Sequence, residues 1–387
     1  MSSKKIYIFV PGYYGTTLVD PKSGREIWGD AREIFLGRKT LAMPIPGMKI
    51  KGALDLKPHK LIPDKKILGG LLKEDAYDKT IALLKSTDAE DVIPVAWDWR
   101  ADPIRGVKLI DEAVKKAKQK YPGHDFVLVS HSFGSLICSY YLRYGVQDYF
   151  EAKENWSGLA HFAKVLISAA PFKGSMSLFR NMFHGIKFGF NPNMQTPLAF
   201  CTFESSYYLL PPHGEDFVLD EKENKISLNL YDSETWMKNS FGLFHDKLKF
   251  SKETFEARKN YISLHLSRGK KFNELVHSEP VELPVDKKKI LYLSGFGFKT
   301  TNSGVWIKNT KRPNVILYFP KEFKKWKSAV NTDIIYSDGD STIARHSMKL
   351  PQFLKSLNTK NIHENYSHLD ILQSSYAQTQ IHDFLLH

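Results

Sequence analysis

Short apolar runs alternate with apolar residues at helical spacing through the first half of the chain. The unbroken runs predict buried strands at residues 6–10, 92–96, 125–129 and 164–168. Between the second and third runs, apolar side chains recur at helical spacing over residues 104–117 and stop before Pro122-Gly123, which predicts a helix. Residues 76–84 show a shorter helical pattern. This alternation favours an α/β fold, a parallel sheet with helices on both faces.

The alternation stops twice, and both interruptions predict segments that lie outside the sheet. Residues from about 20 to 73 are rich in Pro, Gly and Lys, and residues from about 176 to 285 form a second insertion with a mostly helical pattern over 236–266. The sheet then resumes, with strands predicted at residues 289–293, 315–319 and 332–336 and a last helix through Leu386. We therefore expect one domain, residues 1–387, with a cap excursion at about 20–73 and a lid or cap insertion at about 176–285.

The second insertion begins with a segment rich in Phe and Met that lacks a clean period. Such side chains suit adaptable apolar contacts, so the segment is a candidate for a mobile lid or a lipid-facing cap. An inserted core subdomain is the alternative, and both interpretations stay open. In the first interpretation, the side chains expected to contact substrate are Phe179, Phe183, Phe188 and Phe190.

The chain carries a formal charge of +13, from 55 basic and 42 acidic residues. Such a field favours an anionic partner, namely a nucleic acid, an acidic lipid surface or an anionic substrate. Scattered lysines that only aid solubility are the alternative. Because the charge is diffuse and no nucleic-acid motif accompanies it, we do not expect nucleic-acid binding.

Cysteine content and the N-terminal pattern bear on the compartment. The two cysteines, Cys138 and Cys201, do not suggest a structural disulfide, which fits a reducing compartment. The apolar run near Met1 is too short for a signal peptide, and no stretch approaches the roughly 20 apolar residues that span a bilayer. We expect a cytoplasmic protein that can associate peripherally with a membrane, and no metal or cofactor.

The third apolar run ends in Ser130-His131-Ser132-Phe133-Gly134, and a helical pattern follows at once. A buried strand, a tight turn and a helix are the context of a nucleophile elbow, in which strain lifts the central serine above the sheet. Ser130 stands where the G-x-S-x-G pattern has its first glycine. A strand-to-helix turn without chemistry is the alternative interpretation.

Two further loops at predicted strand ends carry groups that could activate Ser132. The pair Asp338 and Asp340 follows the predicted strand at 332–336, and His368 lies near the C-terminus. The order Ser, Asp, His is typical of the α/β-hydrolase fold, in which an imidazole takes the serine proton and a carboxylate orients the imidazole. The N–H of Phe133 and one from the turn between Gly12 and Gly15 could stabilise an oxyanion.

Six motifs together resemble the lecithin:cholesterol acyltransferase family of α/β-hydrolases, which includes phospholipases A and phospholipid:diacylglycerol acyltransferases. They cover residues 6 to about 372. In chain order they are Val10-Pro11-Gly12 with Gly15, Asp98-Trp99-Arg100, Ser130-His131-Ser132-Phe133-Gly134, Ala170-Pro171-Phe172-Lys173-Gly174, Gly339-Asp340-Ser341-Thr342-Ile343 and His368-Leu369-Asp370-Ile371. Asp98 and Arg100 could also bridge loops near the site, although a structural ion pair is the preferred interpretation.

The resemblance implies a role for each matching residue. Ser132 becomes the nucleophile, Asp340 the orienting carboxylate and His368 the general base, with the N–H groups of Tyr14 and Phe133 as oxyanion donors. Asp340 is preferred to Asp338, and His368 to His363, because they match the family motifs. The disulfide-closed lid loop of secreted members has no counterpart, because cysteine is absent between residues 19 and 137.

The implied function is a serine-dependent lipid acyl hydrolase or O-acyltransferase that acts on glycerolipid or phospholipid esters through an acyl-enzyme on Ser132. The expected partners are a lipid or acyl-ester substrate and an anionic membrane surface. Two alternatives stay open, an esterase for soluble short-chain esters and a catalytically silent lipid-surface binding protein.

Overall fold

The structure is a computed structural model that describes residues 4–62, 77–307 (except 213, 216, 246, 247 and 249), 315–317 and 331–387. Its strands are β1 (Lys5–Val10), β2 (Thr16–Val19), β3 (Glu26–Trp28), β4 (Lys57–Leu61), β5 (Ala89–Pro94), β6 (Asp125–His131), β7 (Lys164–Ser168), β8 (Ile186–Phe188), β9 (Asn191–Gln195), β10 (Val218–Leu219), β11 (Lys225–Ile226), β12 (Lys289–Gly295), β13 (Phe298–Thr301), β14 (Gly304–Ile307), β15 (Val315–Leu317), β16 (Tyr336–Gly339) and β17 (Asn358–Glu364). Its α-helices are α1 (Ala31–Phe35), α2 (Asp78–Lys85), α3 (Pro103–Lys120), α4 (Phe133–Tyr144), α5 (Met176–His184), α6 (Pro197–Thr202), α7 (Ser233–Lys238), α8 (Phe255–His277), α9 (Gln352–Ser356) and α10 (Ser375–Leu386). Short 3-10 helices span Leu159–His161, Glu204–Tyr207, Gly242–Phe244, Lys252–Thr254, Thr332–Ile335 and Asp370–Leu372.

Six parallel strands form the central sheet, in the order β17-β12-β7-β6-β1-β5. Their unbroken apolar runs fit strands that are covered on both faces, and β1 is buried along its whole length. The prediction of an α/β fold is confirmed. Because the strands are parallel, their carboxyl ends meet at one edge of the sheet, where α/β proteins place their ligands.

The helices beside the elbow follow from local sequence. The α3 helix begins at an N-cap, where the Asp102 carboxylate accepts a hydrogen bond from the N–H of Ile104 at 3.1 Å. Its buried stripe includes the predicted residues from Ile104 to Ala117. The α4 helix is buried at all its positions, so it lies inside the core and holds the serine turn rigidly.

Two additions outside the central sheet pack on the same hydrophobic core as the sheet. In the first, β2, β3 and β4 form an antiparallel sheet, while its residues 63–73 lie outside the described residues. The second contains α5 to α8 and the hairpin of β8 and β9. Buried residues of both additions and of the central sheet belong to the same apolar cluster.

Two predicted elements are wrong. Residues 332–335 form a 3-10 turn instead of a strand, because the Asn331 side chain accepts a hydrogen bond from the N–H of Asp333 and caps the turn. The strand in this part of the chain is β16, which begins only at Tyr336. Of the strand predicted at 315–319, only residues 315–317 are described, and they form β15. The helix predicted over 236–266 is divided, because Ser240 and Gly242 have positive φ angles and α8 starts only at Phe255.

Two observations complete the description of the fold. Across the described ranges, no helix is long and apolar enough to cross a bilayer. Cys138 and Cys201 are free and buried, which makes each a small apolar side chain of the core.

Candidate active site

The turn between β6 and α4 holds Ser132 in a strained conformation at the carboxyl edge of the sheet. Ser132 has φ +55° and ψ −125°, a region that L-residues rarely occupy, and its N–H donates to the carbonyl of Ser168 at 2.8 Å. A Cβ on Gly134 would lie 2.4 Å from the carbonyl oxygen of Pro11, so only glycine fits there. The predicted elbow geometry is therefore present.

A buried network of serines accommodates Ser130, the departure from the usual glycine. The Ser130 hydroxyl donates to the carbonyl of Leu166 at 3.1 Å and lies 3.0 Å from the hydroxyl of Ser135. The Ser168 hydroxyl donates to the carbonyl of Ser130 at 2.8 Å. Each of these three serines is fully buried, and each is satisfied within the network.

The structure brings Ser132, His368 and Asp340 into one hydrogen-bonded row. Nε2 of His368 lies 2.9 Å from Oγ of Ser132, and Nδ1 lies 2.7 Å from Oδ2 of Asp340. The Asp340 side chain is fully buried, and its Oδ1 accepts the N–H groups of Thr342 and Ile343 at 3.0 and 2.6 Å. A carboxylate in this position holds the imidazole with Nδ1 protonated and Nε2 free to accept the serine proton.

Asp338 and His363, the alternatives to Asp340 and His368, lie away from Ser132. The Asp338 side chain is 41% exposed, pairs with Arg345 at 3.3 Å and accepts the N–H of Gly297. His363 lies on β17, with Nδ1 at 2.8 Å from the hydroxyl of Ser294. Neither side chain belongs to the row that contains Ser132.

The turn after β1 packs directly against Ser132. The N–H of Gly15 donates to the carbonyl of Gly12 at 3.1 Å, and Tyr14 has φ +66°, which is the geometry of a type II turn. A Cβ on Gly12 would lie 2.7 Å from Cβ of Ser132, so this close approach requires glycine. Tyr14 and Phe133 both line the cavity at Ser132, and Phe133 is the first residue of α4.

Tyr14 of this turn is held by aromatic rings and hydrogen bonds. The phenol of Tyr14 donates to Oε1 of Gln195 at 2.8 Å, and its carbonyl accepts the indole N–H of Trp28 at 3.0 Å. Its ring centroid lies 4.8 Å from that of Trp99. The main chain at Tyr14 is therefore fixed beside Ser132, and its role as an oxyanion donor stays a prediction.

The Asp98–Arg100 motif forms a buried ion pair, which confirms the preferred interpretation. Oδ2 of Asp98 lies 2.8 Å from Nη2 of Arg100, whose Nη1 donates to the carbonyl of Leu41 at 2.9 Å. The pair ties the first excursion to the loop after β5, and neither side chain lines the cavity at Ser132.

A cavity of about 470 Å³ opens above Ser132. Its apolar wall includes Ile62, Leu178, Leu209, Ile343 and Leu369. A largely apolar cavity with a few convergent polar groups is typical of a small-molecule site.

Three of the four phenylalanines predicted as substrate contacts, Phe179, Phe183 and Phe190, do not line this cavity. Phe179 is fully buried, and its ring packs at 6.0 Å from those of Trp236 and Phe241, so it is a core residue. Phe183 shares this face of α5 because it lies one turn further along, whereas Leu178 faces the cavity. Phe190 is 86% exposed, and the Phe188 side chain lies outside what the structure describes.

Two cavity residues were missed by sequence reasoning. Tyr77 precedes α2, and its hydroxyl lies 3.0 Å from Nδ1 of His131, the residue before the candidate nucleophile. Burial and the nearby ring of His368 lower the pKa of His131 to about 3, so this imidazole is neutral. The position of His131 in the elbow motif was the available signal; nothing local pointed to Tyr77.

Among solved structures, a chain of the crystal structure of the Tle4–Tli4 complex is similar over 100% of this chain and 98% of its own length. The TM-score is 0.59 and the sequence identity 12%, which shows a common fold. The mature lipase BlEst2 of Bacillus licheniformis aligns over 100% of this chain and 93% of its own, with TM-score 0.39 and 10% identity. No curated protein sequence matches the chain significantly.

The sequence profile of the lecithin:cholesterol acyltransferase family matches residues 76–375. This range is most of the chain. It contains the elbow, Asp340 and His368, and therefore the whole hydrogen-bonded row. The fold is that of the α/β-hydrolases, and the general activity is that of an acyl-ester hydrolase or acyltransferase. The chain belongs to the lecithin:cholesterol acyltransferase family.

Proposed function

We propose that the protein cleaves lipid acyl esters through an acyl-enzyme on Ser132. The observation that carries this proposal is the row in which His368 contacts Oγ of Ser132 and Oδ2 of Asp340, at 2.9 and 2.7 Å, beside a largely apolar cavity. A serine hydroxyl becomes a useful nucleophile only when a base can take its proton, and His368 is positioned for that step.

The reaction proceeds in two acyl transfers. Oγ of Ser132 attacks the ester carbonyl while Nε2 of His368 takes the serine proton, and a tetrahedral oxyanion forms. The oxyanion collapses, the C–O bond of the leaving alcohol breaks, and His368 returns the proton to that alcohol. Water or a lipid alcohol then attacks the acyl-enzyme, with His368 again taking and returning the proton.

The two oxyanion donors of this proposal are the main-chain N–H groups of Tyr14 and Phe133. Phe133 is the first residue of α4, where N–H groups have no partner within the helix and the helix dipole favours negative charge. Tyr14 belongs to the turn whose Gly12 packs on Ser132. Main-chain donors from these two segments would hold the developing charge without reorganisation.

The direct test is labelling with a fluorophosphonate probe, which reacts with an activated serine. We expect the wild-type protein to be labelled and Ser132→Ala not to be. Ser139→Ala is the matched control, because Ser139 lies on the same helix, is fully buried and does not line the cavity. Absence of wild-type labelling, or equal labelling of Ser132→Ala, would exclude the acyl-enzyme and favour a silent binding protein.

A lipid ester is the substrate class that the apolar wall of the cavity favours, and soluble short-chain esters are the second candidate. Hydrolysis of one ester series across its micelle threshold separates them: a jump in rate at the threshold supports a lipid substrate. Product profiling with mixed phospholipids, and with diacylglycerol or sterol present, identifies the acyl acceptor.

We further propose peripheral association with anionic membranes. The formal charge of +13 supports this, since basic side chains are attracted to acidic lipid headgroups. Sedimentation with phosphatidylserine vesicles should carry the protein into the pellet, and binding should fall with added salt. Equal binding to phosphatidylcholine vesicles would contradict the electrostatic account.

A further inference from the structure

The imidazole of His131 is buried beneath the ring of His368 and contacts polar groups at both nitrogens. His131 is 2% exposed, and the two ring centroids are 4.8 Å apart. Nε2 lies 2.8 Å from the main-chain carbonyl oxygen of His368, and Nδ1 lies 3.0 Å from the hydroxyl of Tyr77. Neither contact is part of the proton transfers proposed above.

The partners determine where the protons lie. A carbonyl oxygen can only accept, so Nε2 of His131 must carry the proton, and Nδ1 must accept from the Tyr77 hydroxyl. The Tyr77 oxygen in turn accepts the N–H of Gly12 at 2.9 Å. All donors therefore point in one consistent sense, from Gly12 through Tyr77 and His131 to the carbonyl of His368.

This row of hydrogen bonds joins three segments that are remote in the chain. Gly12 begins the turn that packs on Ser132, Tyr77 precedes α2, and His368 follows β17. The ring of Tyr77 is supported by Phe9 of β1, with centroids 5.0 Å apart. His131 itself is the last residue of β6, so the row is anchored on the central sheet.

We propose that His131 and Tyr77 are positioning residues, which hold the backbone of His368 and the turn at Gly12 in a fixed position relative to Ser132. The inference rests on the proposed function, since its purpose is to fix the general base. Displacement of a catalytic group by a fraction of its hydrogen-bond length costs rate, because the reacting atoms must be aligned in the transition state.

A neutral ring is also suited to this place electrostatically. The imidazolium that forms on His368 during the reaction would be opposed by a second positive charge at 4.8 Å between ring centroids. Burial keeps the pKa of His131 low, so the ring supplies a hydrogen bond without adding charge.

The kinetic test compares His131→Leu with His131→Gln in ester hydrolysis by the full chain. His131→Leu removes both hydrogen bonds, and we expect kcat to fall roughly 10- to 100-fold with KM within about twofold. His131→Gln keeps a donor near the Nε2 position and should recover kcat to within about fivefold of wild type. His363→Gln is the matched control, a histidine at the end of another central strand that lies outside the cavity, and its kcat should not change.

A double-mutant cycle tests the link to Tyr77. Tyr77→Phe keeps the ring against Phe9 and removes the hydroxyl, and we expect kcat to fall about five- to tenfold. In the His131→Leu background the same change should cost less than about twofold, since the link is already broken. Losses that multiply would show that Tyr77 acts independently of His131 and would overturn the proposed row.

The outcomes separate this inference from the proposed function. If wild type reacts with the fluorophosphonate probe but His131→Leu keeps kcat, or His131→Gln fares no better than His131→Leu, the positioning role is overturned and the acyl-enzyme stands. If wild type does not react, the proposed function fails and the catalytic role fails with it. NMR of ¹⁵N-labelled imidazoles gives a readout without turnover: His131 must show the Nε2–H tautomer, and the Nδ1–H form would overturn the assignment.

Discussion

Two buried aspartates, Asp340 and Asp102, have different kinds of donors. Asp340 accepts two main-chain N–H groups from its own loop and Nδ1 of His368, whose other nitrogen faces Ser132 and the cavity. Among the described residues, the Asp102 carboxylate accepts hydrogen bonds from the N–H of Ile104, the hydroxyls of Tyr149 and Tyr208, and Nε of Arg268 at 2.6 Å.

This difference shows how a buried carboxylate that takes part in a reaction can be distinguished from one that only stabilises the fold. Asp102 is saturated by donors from helix α3, from the loop after α4 and from two parts of the second insertion, Tyr208 and α8, so it joins segments and leaves no proton free to move. Asp340 instead contacts Nδ1 of His368, whose Nε2 faces Ser132 and the cavity. Burial alone does not identify a reactive carboxylate. What identifies it is a hydrogen-bond partner that has a second group available for proton transfer.

Replacing Asp340 should have the largest effect, and it should appear in activity. In Asp340→Asn the amide carbonyl can still accept the N–H groups of Thr342 and Ile343, but the NH₂ would face His368 and favour the wrong tautomer. We expect kcat to fall about 1,000- to 10,000-fold with little change in the unfolding midpoint. A variant that unfolds, or that keeps more than a tenth of wild-type kcat, would place Asp340 with Asp102 among structural groups.

Replacing Asp102 should show the opposite pattern. Asp102→Ala removes a helix cap and leaves two tyrosine hydroxyls and Arg268 without their buried acceptor. We expect the free energy of unfolding to fall by about 3–5 kcal/mol, with kcat per folded molecule retained. Urea denaturation checks this.

Asp148→Ala is the matched control, because it removes the other carboxylate bound to Arg268. The Asp148 side chain is 41% exposed, so the loss should be below about 1 kcal/mol. Equal losses in the two variants would contradict the importance of burial.

A histidine one turn before Arg268 should make this structural cluster sensitive to acid. Burial lowers the pKa of His265 from 6.5 to about 4. The His265 imidazole therefore binds a proton more readily in the unfolded chain than in the folded one. The contribution of His265 to the free energy of unfolding is present above pH 6.5 and is lost as the pH falls towards 4. The loss amounts to about 3 kcal/mol, and His265→Gln should flatten the fall of the urea midpoint between those pH values. The same slope in both proteins would contradict this account.

The smallest effect is expected at Ser130. Ser130→Gly restores the usual elbow glycine but removes a hydroxyl that donates to Leu166. Stability should fall by about 1–2 kcal/mol, and kcat should stay within about twofold of wild type, because Ser132 keeps its own hydrogen bonds. A large loss of kcat in a folded variant would show that the serine network positions the elbow.

Much of this architecture was predictable from local patterns. Strands β1, β6, β7 and β12 follow unbroken apolar runs, and α3 follows a 3.6-residue period, because burial on a sheet or along a helix repeats at short range. The elbow pentapeptide and the order Ser, Asp, His were likewise visible. In the second insertion, where buried side chains do not recur at a regular period, the sequence pattern did not predict the bounds of the helices and strands correctly.

The sequence by itself determined the parallel sheet, the elbow at Ser132 and a short set of possible partners. Only the tertiary structure decided which partners meet Ser132: the loops after β16 and β17 bring Asp340 and His368 to it, whereas Asp338 on β16 and His363 on β17 lie aside. It also turned Leu178 of α5 to the cavity and joined Tyr77 to His131 across 54 residues. Contacts between remote segments depend on how whole elements pack, and no local pattern encodes that.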